Sequence, residues 1–406
     1  MISRVAFLSM HTCPLLQPGL GDAGGMNVYV KELAEAMASR GVTVDIFTRR
    51  REPDAPDLFE ASEGFIVHHL DAGPHRNIPI LEMAQYVEEF ADGVVSAIES
   101  LGHPDIVHTH YWLSGWAGLI VKRETGLPVA HSFHTLGRVK DLLRRPGEPP
   151  ESLLRIGAEH DVIEDADCLM ASTPFEAEDL ILHYGADPAK LCVSPPGINH
   201  RLFRPGSKTR ARASLGWGDG PIVLFVGRIQ SLKGVDISLA AAEELHRLVD
   251  GVRLVVIGGP SGPNGLDEYE ALRARAGRLR VSVEFLSPVP RTELATYFQA
   301  ADVLHVPSRS ETFGLVVVEA QACGLPVVAA RVGGLPHTFE PGRSGLLVEG
   351  WGPMAHAEAL ATVLRDQEGS FSEAALRWGR EFSWEATADR VLQAYMGPVE
   401  EREKTS

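Results

Sequence analysis

Val28-Tyr-Val-Lys-Glu-Leu-Ala-Glu-Ala-Met-Ala-Ser-Arg-Gly-Val-Thr-Val-Asp-Ile-Phe47 changes its period part-way along. Val28, Val30, Leu33, Ala34 and Met37 recur at helical spacing, and Gly41 follows where a helix C-cap would stand. Residues 42–47 are then a short β-branched run, which reads as a buried strand. Upstream, residues 4–10 have the same character. The spacing therefore predicts a helix over 26–39 between two strands. A strand–helix–strand unit favours a parallel sheet with a right-handed crossover.

The rhythm continues outward. Short apolar runs at 106–108, 129–132, 169–171 and 191–194 read as further strands, with helical stretches between them. Ser194-Pro-Pro-Gly-Ile-Asn-His-Arg-Leu-Phe-Arg-Pro-Gly206 breaks it, with three prolines and two glycines that can propagate neither a helix nor a central strand. An interdomain linker is expected here. A second series follows, with a strand at 221–226, a helix at 234–248, and strands at 252–257, 283–285, 303–306 and 327–330. The expected fold class is α/β, with two doubly wound, Rossmann-like domains over 1–198 and 199–383. Residues 384–396 read as an amphipathic helix, and the charged tail 400–406 as a frayed end.

Composition excludes several classes. The 406 residues carry a formal net charge of −16, which argues against a nucleic-acid partner. The N-terminal apolar run is too short for a secretion signal, and no stretch approaches a membrane span. The four cysteines, Cys13, Cys168, Cys192 and Cys323, form no CxxC pair, so neither a disulfide framework nor a zinc site is expected. A reducing, cytoplasmic setting follows as an expectation.

Two regions suit phosphate. Gly19-Leu-Gly-Asp-Ala-Gly-Gly-Met-Asn27 opens the first helix, and glycines there allow close backbone approach to an anion at a helix N-terminus. About ten residues separate it from the strand, unlike the dinucleotide fingerprint, and it lacks the ending of a P-loop. Gly227-Arg-Ile-Gln-Ser-Leu-Lys-Gly234 puts Arg228 and Lys233 at the C-terminal edge of a parallel sheet. Ser308-Arg-Ser-Glu-Thr-Phe-Gly-Leu-Val-Val-Val-Glu319 carries Glu311 and Glu319 eight apart. With a helix starting near Gly314, Glu311 lies in the loop and Glu319 inside the helix. The N–H groups of Gly314, Leu315 and Val316 then face an anion. Glu319 stands among apolar residues, and a carboxylate there needs a partner.

Taken together, these segments resemble the retaining glycosyltransferases of family 4, which have the GT-B fold: two Rossmann-like domains facing a cleft, with the last helix, about 384–406, returning to the first domain. Gly21-Asp-Ala-Gly-Gly-Met-Asn-Val-Tyr-Val30, His110-Tyr-Trp-Leu-Ser-Gly115, His134-Thr-Leu-Gly-Arg-Val-Lys140 and Gly258-Gly-Pro-Ser-Gly-Pro263 are most similar to the branch that glycosylates 1D-myo-inositol 3-phosphate in mycothiol formation. Sucrose-phosphate synthases share part of the pattern. The resemblance implies an N-terminal acceptor domain and a C-terminal domain for a UDP-sugar. Gly25, Arg228 and Lys233 would hold the diphosphate, Glu311 the sugar hydroxyls and Glu319 the ribose. Thr312, Phe313, Gly314, Leu315 and Val316 would complete the donor site, and His134 would sit beside the donor sugar. His11, Asp22, Asn27, Tyr111, Thr135 and Arg155 would contact the acceptor. Ile80 stands where the family has a phosphate-binding lysine, with Arg76 nearby, and Val289 stands where it has an arginine.

The implied reaction is same-face transfer of N-acetylglucosamine or glucose, with His134, Arg228, Lys233 and Glu311 as the catalytic set. The departing diphosphate would take the acceptor's proton, and Arg228, Lys233 and the helix N-terminus would stabilise its charge. Those cations stand in for the metal of many sugar transferases, so no metal and no cofactor beyond the UDP-sugar co-substrate are expected. Small-molecule substrates are the expected partners, without nucleic acid or membrane insertion. Related enzymes are often dimers, which leaves a homodimer open. The alternatives are a synthase acting on a hexose phosphate and a non-enzymatic two-domain solute-binding protein.

Overall fold

The computed structural model describes residues 2–19, 21, 23–144, 148–262 and 265–405. The chain divides into two compact units. One comprises Met1–Leu16, Met26–Pro195 and Trp384–Ser406; the other comprises Gln17–Gly25 and Pro196–Ser383. The glycine-rich loop therefore belongs to the second unit, although the helix it opens belongs to the first.

The first unit is built on a sheet of eight strands: β1 (Arg4–Leu8), β2 (Thr43–Arg49), β3 (Leu58–Ser62), β4 (Phe65–Leu70), β5 (Ile106–His110), β6 (Val129–Ser132), β7 (Cys168–Ala171) and β8 (Leu191–Val193). Their order is β3-β4-β2-β1-β5-β6-β7-β8. Each neighbouring pair is parallel except β3–β4, an antiparallel edge. Helices cover the interior strands on both faces, so β5, β6 and β7 are buried throughout. The strand order reverses between β1 and β5. In open α/β sheets, ligands bind beyond the C-terminal strand ends at such a point.

The second unit carries β9 (Ile222–Val226), β10 (Arg253–Ile257), β11 (Ser282–Leu286), β12 (Val303–Val306), β13 (Val327–Ala330) and β14 (Gly345–Val348), ordered β11-β10-β9-β12-β13-β14. All the pairings are parallel. Here the order reverses between β9 and β12. The loops after these two strands are the ones that carry Arg228, Lys233 and Glu311.

Three strands were not expected from the sequence. β3 is exposed along most of its length, β4 ends in His68-His69-Leu70, and β14 opens with Gly345, so none reads as an apolar run. The expectation of a frayed tail is also corrected. The last helix runs Trp384–Thr405, through the good helix formers Glu400, Glu401, Arg402 and Lys404. It is anchored within the first unit: Tyr395 is fully buried with its Oη 2.6 Å from His108 Nδ1, and Arg40 reaches Asp389 and the Glu385 carbonyl, each at 2.6 Å.

Candidate functional site

In the second unit, chain geometry converges the phosphate-binding candidates. β9 delivers Arg228 just past its C-terminal end, and its guanidinium reaches Ser261 Oγ at 3.4 Å. Ser261 Oγ in turn donates to the Gly21 carbonyl at 3.3 Å. The glycine-rich loop thus lies against Arg228. A Cβ at Gly24 would sit 3.4 Å from Arg228 Nε, and one at Gly25 would sit 3.6 Å from Leu315 Cδ1. Gly25, Arg228 and the start of the helix Leu315–Ala322 are therefore neighbours. Gly314 caps that helix at φ +101°, and any Cβ there would also meet Leu335 at 2.8 Å. The Leu315 and Val316 N–H groups that follow have no intrahelical acceptor, while the Val317 N–H donates to the Gly314 carbonyl at 2.9 Å. Phe313 is buried, while Leu315 and Val316 pack on the unit's core. Thr312 links Glu311 to this turn.

Lys233 closes a single 3-10 turn, Ser231–Lys233, and donates to Glu311 Oε2 at 2.6 Å. The cation assigned to phosphate and the carboxylate assigned to the sugar are thus one ion pair, mostly shielded from solvent. The loops that carry them are tied by a second pair. Arg309 binds both carboxylate oxygens of Asp236, at 2.9 and 2.8 Å, and the Ser231 carbonyl at 2.6 Å. Arg309 and Asp236 were not singled out in the sequence; a pairing across 73 residues leaves no local signal.

Glu319 is buried inside its helix, as expected, and its partner is internal: Arg291 Nη2 donates to Oε1 at 2.6 Å. The burial of Glu319 is thus met by a protein cation, and needs no ligand to account for it. Val289, noted for lacking an arginine, lies two residues before Arg291 and packs on the core.

In the first unit, the candidates gather at the C-terminal ends of β1, β5 and β6. Asn27 donates to Thr12 Oγ1 and the Cys13 carbonyl, both at 2.8 Å, and the His11 ring lies 4.5 Å from that of Tyr111. Tyr111 and His134 follow β5 and β6, and they are the non-glycine residues at positive φ among the described residues, at 75° and 62°. Such conformations cost about 1–3 kcal/mol each and persist where surrounding contacts hold them. Tyr111 is held by its N–H to the Ser132 carbonyl at 3.0 Å and by the Arg155 guanidinium 5.2 Å from its ring. His134 Nε2 lies 3.1 Å from His110 Nδ1, and Tyr29 packs edge-on at 5.2 Å. Burial pushes His134 down to about 3, so its imidazole is neutral near pH 7.

Arg155 is buried and already engaged. It donates to Glu159 at 2.7 Å, to Glu151 at 3.2 Å, and to the carbonyl and hydroxyl of Thr135, each at 3.1 Å. Lys140 also pairs with Glu151, and Glu159 accepts from the Gly137 N–H and the Tyr184 hydroxyl. Two cations thus face two carboxylates. Ile80 packs against the core. Asp22 lies outside the described residues. The expectation of no metal also rested on finding no Asp-x-Asp motif, which is corrected: Asp165-Ala166-Asp167 has that spacing, and Asp167 accepts from Lys122 Nζ at 2.7 Å and from the Val129 N–H at 2.8 Å, a structural tie before β6 and β7.

Residues 24–197 match the family described as Glycosyl transferase 4-like domain, and residues 207–381 match Glycosyl transferases group 1. D-inositol 3-phosphate glycosyltransferase 2 of Catenulispora acidiphila is 44% identical over 98% of this chain and 96% of its own. The chain belongs to the group 1 glycosyltransferases. A second relative of this glycosyltransferase, the D-inositol 3-phosphate glycosyltransferase of Mycobacteroides abscessus, is also 44% identical, over 97% of this chain and 88% of its own. Among solved structures, sucrose-phosphate synthase of Thermosynechococcus elongatus superposes on the glycosyltransferase with a TM-score of 0.89 at 32% identity, covering 97% of this chain and 98% of that one. HepE of Anabaena, in complex with UDP-glucose, shares the fold alone, with a TM-score of 0.75 at 17% identity over 96% of this chain and 98% of that one. The glycosyltransferase has the GT-B fold.

Proposed function

We propose that the enzyme transfers N-acetylglucosamine or glucose from a UDP-sugar to a polyol acceptor such as 1D-myo-inositol 3-phosphate, with retention of configuration. The observation that carries this reading is the convergence, in one unit, of Arg228, the Lys233–Glu311 pair, the Gly24-Gly25 backbone and a helix N-terminus. Each of these suits a pyrophosphate or the sugar beside it. The full-length relatives named for inositol 3-phosphate support the acceptor class.

In this reading, residues 199–383 and Gly25 hold the donor, and residues 1–198 with 384–406 take the acceptor. The bond from the anomeric carbon to the diphosphate oxygen breaks, and the acceptor oxygen bonds to that carbon from the same face. Its proton passes to the departing diphosphate. Arg228, Lys233 and the amides at Gly314–Val316 stabilise the charge that develops there. Glu311 orients sugar hydroxyls while Lys233 holds its carboxylate in place. Glu319, oriented by Arg291, takes the ribose. Neutral His134 offers a hydrogen bond to the donor sugar. His11, Asn27, Tyr111 and Thr135 receive the polyol, and Arg155 fixes Tyr111 and Thr135.

The test is an acceptor screen. UDP-N-acetylglucosamine or UDP-glucose is incubated with 1D-myo-inositol 3-phosphate, myo-inositol, or hexose phosphates, and products are read by mass spectrometry. The expected result is an inositol phosphate glycoside and UDP. Product with fructose 6-phosphate alone would instead favour a sucrose-phosphate-type synthase, a reading supported by the 0.89 superposition. No shift of melting temperature with any UDP-sugar would overturn the donor assignment.

A further inference from the structure

His110 opens the segment His110-Tyr-Trp-Leu-Ser-Gly115, yet the proposed reaction gives it no part. It is the last residue of β5, at the C-terminal edge of the first unit's sheet, and it is fully buried. Phe7 packs edge-on at 5.0 Å, Tyr29 does so at 5.9 Å, and the His108 ring lies at 4.2 Å. Inside this aromatic wall the His110 side chain makes one hydrogen bond among the described residues, from Nδ1 to His134 Nε2 at 3.1 Å. Its Nε2 is buried without a partner. Tyr29 packs on the His134 ring as well, at 5.2 Å.

Both rings are neutral near pH 7. Burial and the neighbouring histidines hold His110 well below its ordinary value, and burial pushes His134 down to about 3. A neutral imidazole has one N–H and one bare nitrogen, so the bond between them admits two arrangements. In one, His134 Nε2–H donates. The His110 proton must then sit on Nε2, where it is a buried N–H with no acceptor. In the other, His110 Nδ1–H donates, and only a bare nitrogen is left without a partner. Orphaned N–H groups are rarer in protein interiors than under-used acceptors, which favours the second arrangement. The neighbouring histidines set no such choice. His108 meets the hydroxyls of Tyr395 and Ser132, and His131 meets that of Thr109, and a hydroxyl can turn to donate or accept.

We propose that His110 is a positioning residue: its Nδ1–H donates to His134 Nε2 and so keeps the His134 proton on Nδ1, the atom from which that ring hydrogen-bonds the donor sugar. This rests on the reading of His134 as the residue beside the sugar. The bond made by one imidazole nitrogen sets the protonation of the other, and a ring held in the wrong tautomer cannot donate where it is needed.

The test uses the full chain with isotope-labelled histidine. Imidazole nitrogen chemical shifts show which nitrogen is protonated, and the spectrum of His134→Gln assigns His134. Turnover is read as UDP release from UDP-N-acetylglucosamine with 1D-myo-inositol 3-phosphate. His110→Leu fills the position without polar atoms, and His110→Asn places an amide N–H near the former imidazole Nδ1–H. The expected result is a His134 protonated on Nδ1 in wild type and in His110→Asn. In His110→Leu, kcat should fall about ten- to a hundredfold while KM for the UDP-sugar moves far less. His110→Asn should regain most of the turnover, although the cavity it leaves lowers the melting temperature further. Activity that follows stability instead, with His110→Asn the poorer enzyme, overturns the proposal. So does a His134 proton on Nε2 in wild type, or a His110→Leu variant that turns over as wild type does while His134→Gln does not. Nδ1 protonation in a protein whose His134→Gln variant turns over normally upholds the tautomer and overturns the placing of His134 beside the sugar.

Discussion

Arg291 and Glu319 form a 2.6 Å ion pair between two helices of the second unit, with both side chains at most 15% exposed. It joins a residue that the motif draws attention to with one that it does not. Removing the arginine strands a buried carboxylate, and breaking such a pair costs about 3–5 kcal/mol. Arg291→Ala is expected to lower unfolding free energy by about 3 kcal/mol in urea titrations and to weaken UDP binding. Unchanged stability would mean that Glu319 has other sufficient partners.

On the proposed reading, Lys233 and Arg228 serve the departing diphosphate rather than the fold. Loss of one electrostatic stabiliser of a developing charge lowers kcat about 10²- to 10³-fold. Lys233→Ala and Arg228→Ala should each do so while the melting temperature moves by a few degrees. Equal loss of turnover and stability would count against the diphosphate assignment.

Acid sensitivity should come from the first unit's histidines. Burial depresses His108 and His134 to about 3, and His110 and His131 are held well below the ordinary value. Between about pH 6.5 and 3 the unfolded chain binds these protons and the folded one does not. The contribution is therefore complete above pH 6.5 and is lost as pH falls toward 3. Denaturant midpoints measured from pH 8 to 4 should decline, and replacing His131 with Asn should flatten the decline.

Tyr395→Phe removes the hydroxyl 2.6 Å from His108 Nδ1 and leaves a buried ring nitrogen unsatisfied. A cost of about 1–3 kcal/mol is expected, with faster hydrogen exchange over residues 384–405. Exchange unaltered there would show that Arg40, through Asp389 and the Glu385 carbonyl, holds the last helix by itself.

Much of this architecture was legible because interior strands of a doubly wound sheet are short, apolar and β-branched. β6, β12 and β13 fall where the runs at 129–132, 303–306 and 327–330 predict. β3 escaped because it is exposed along most of its length, and β4 because its buried Phe65 and Val67 run into His68 and His69 rather than a longer apolar stretch. Glu311 and Glu319 were readable from their motif, yet their partners were not. Lys233 meets Glu311 across 78 residues, and Arg291 meets Glu319 across 28. Arg155 was visible as a cation, but its neutralisation by Glu151 and Glu159 depends on rotamers that spacing alone does not settle.

The fork between Arg309 and Asp236 makes one mechanical body of two segments that are far apart in the chain. Neither the Ser231–Lys233 turn nor the stretch around Glu311 can wander without dragging the other. On the proposed reading, a sugar nucleotide arriving there meets a frame that is set before it lands, and little of its adhesion is dissipated in stiffening loose chain.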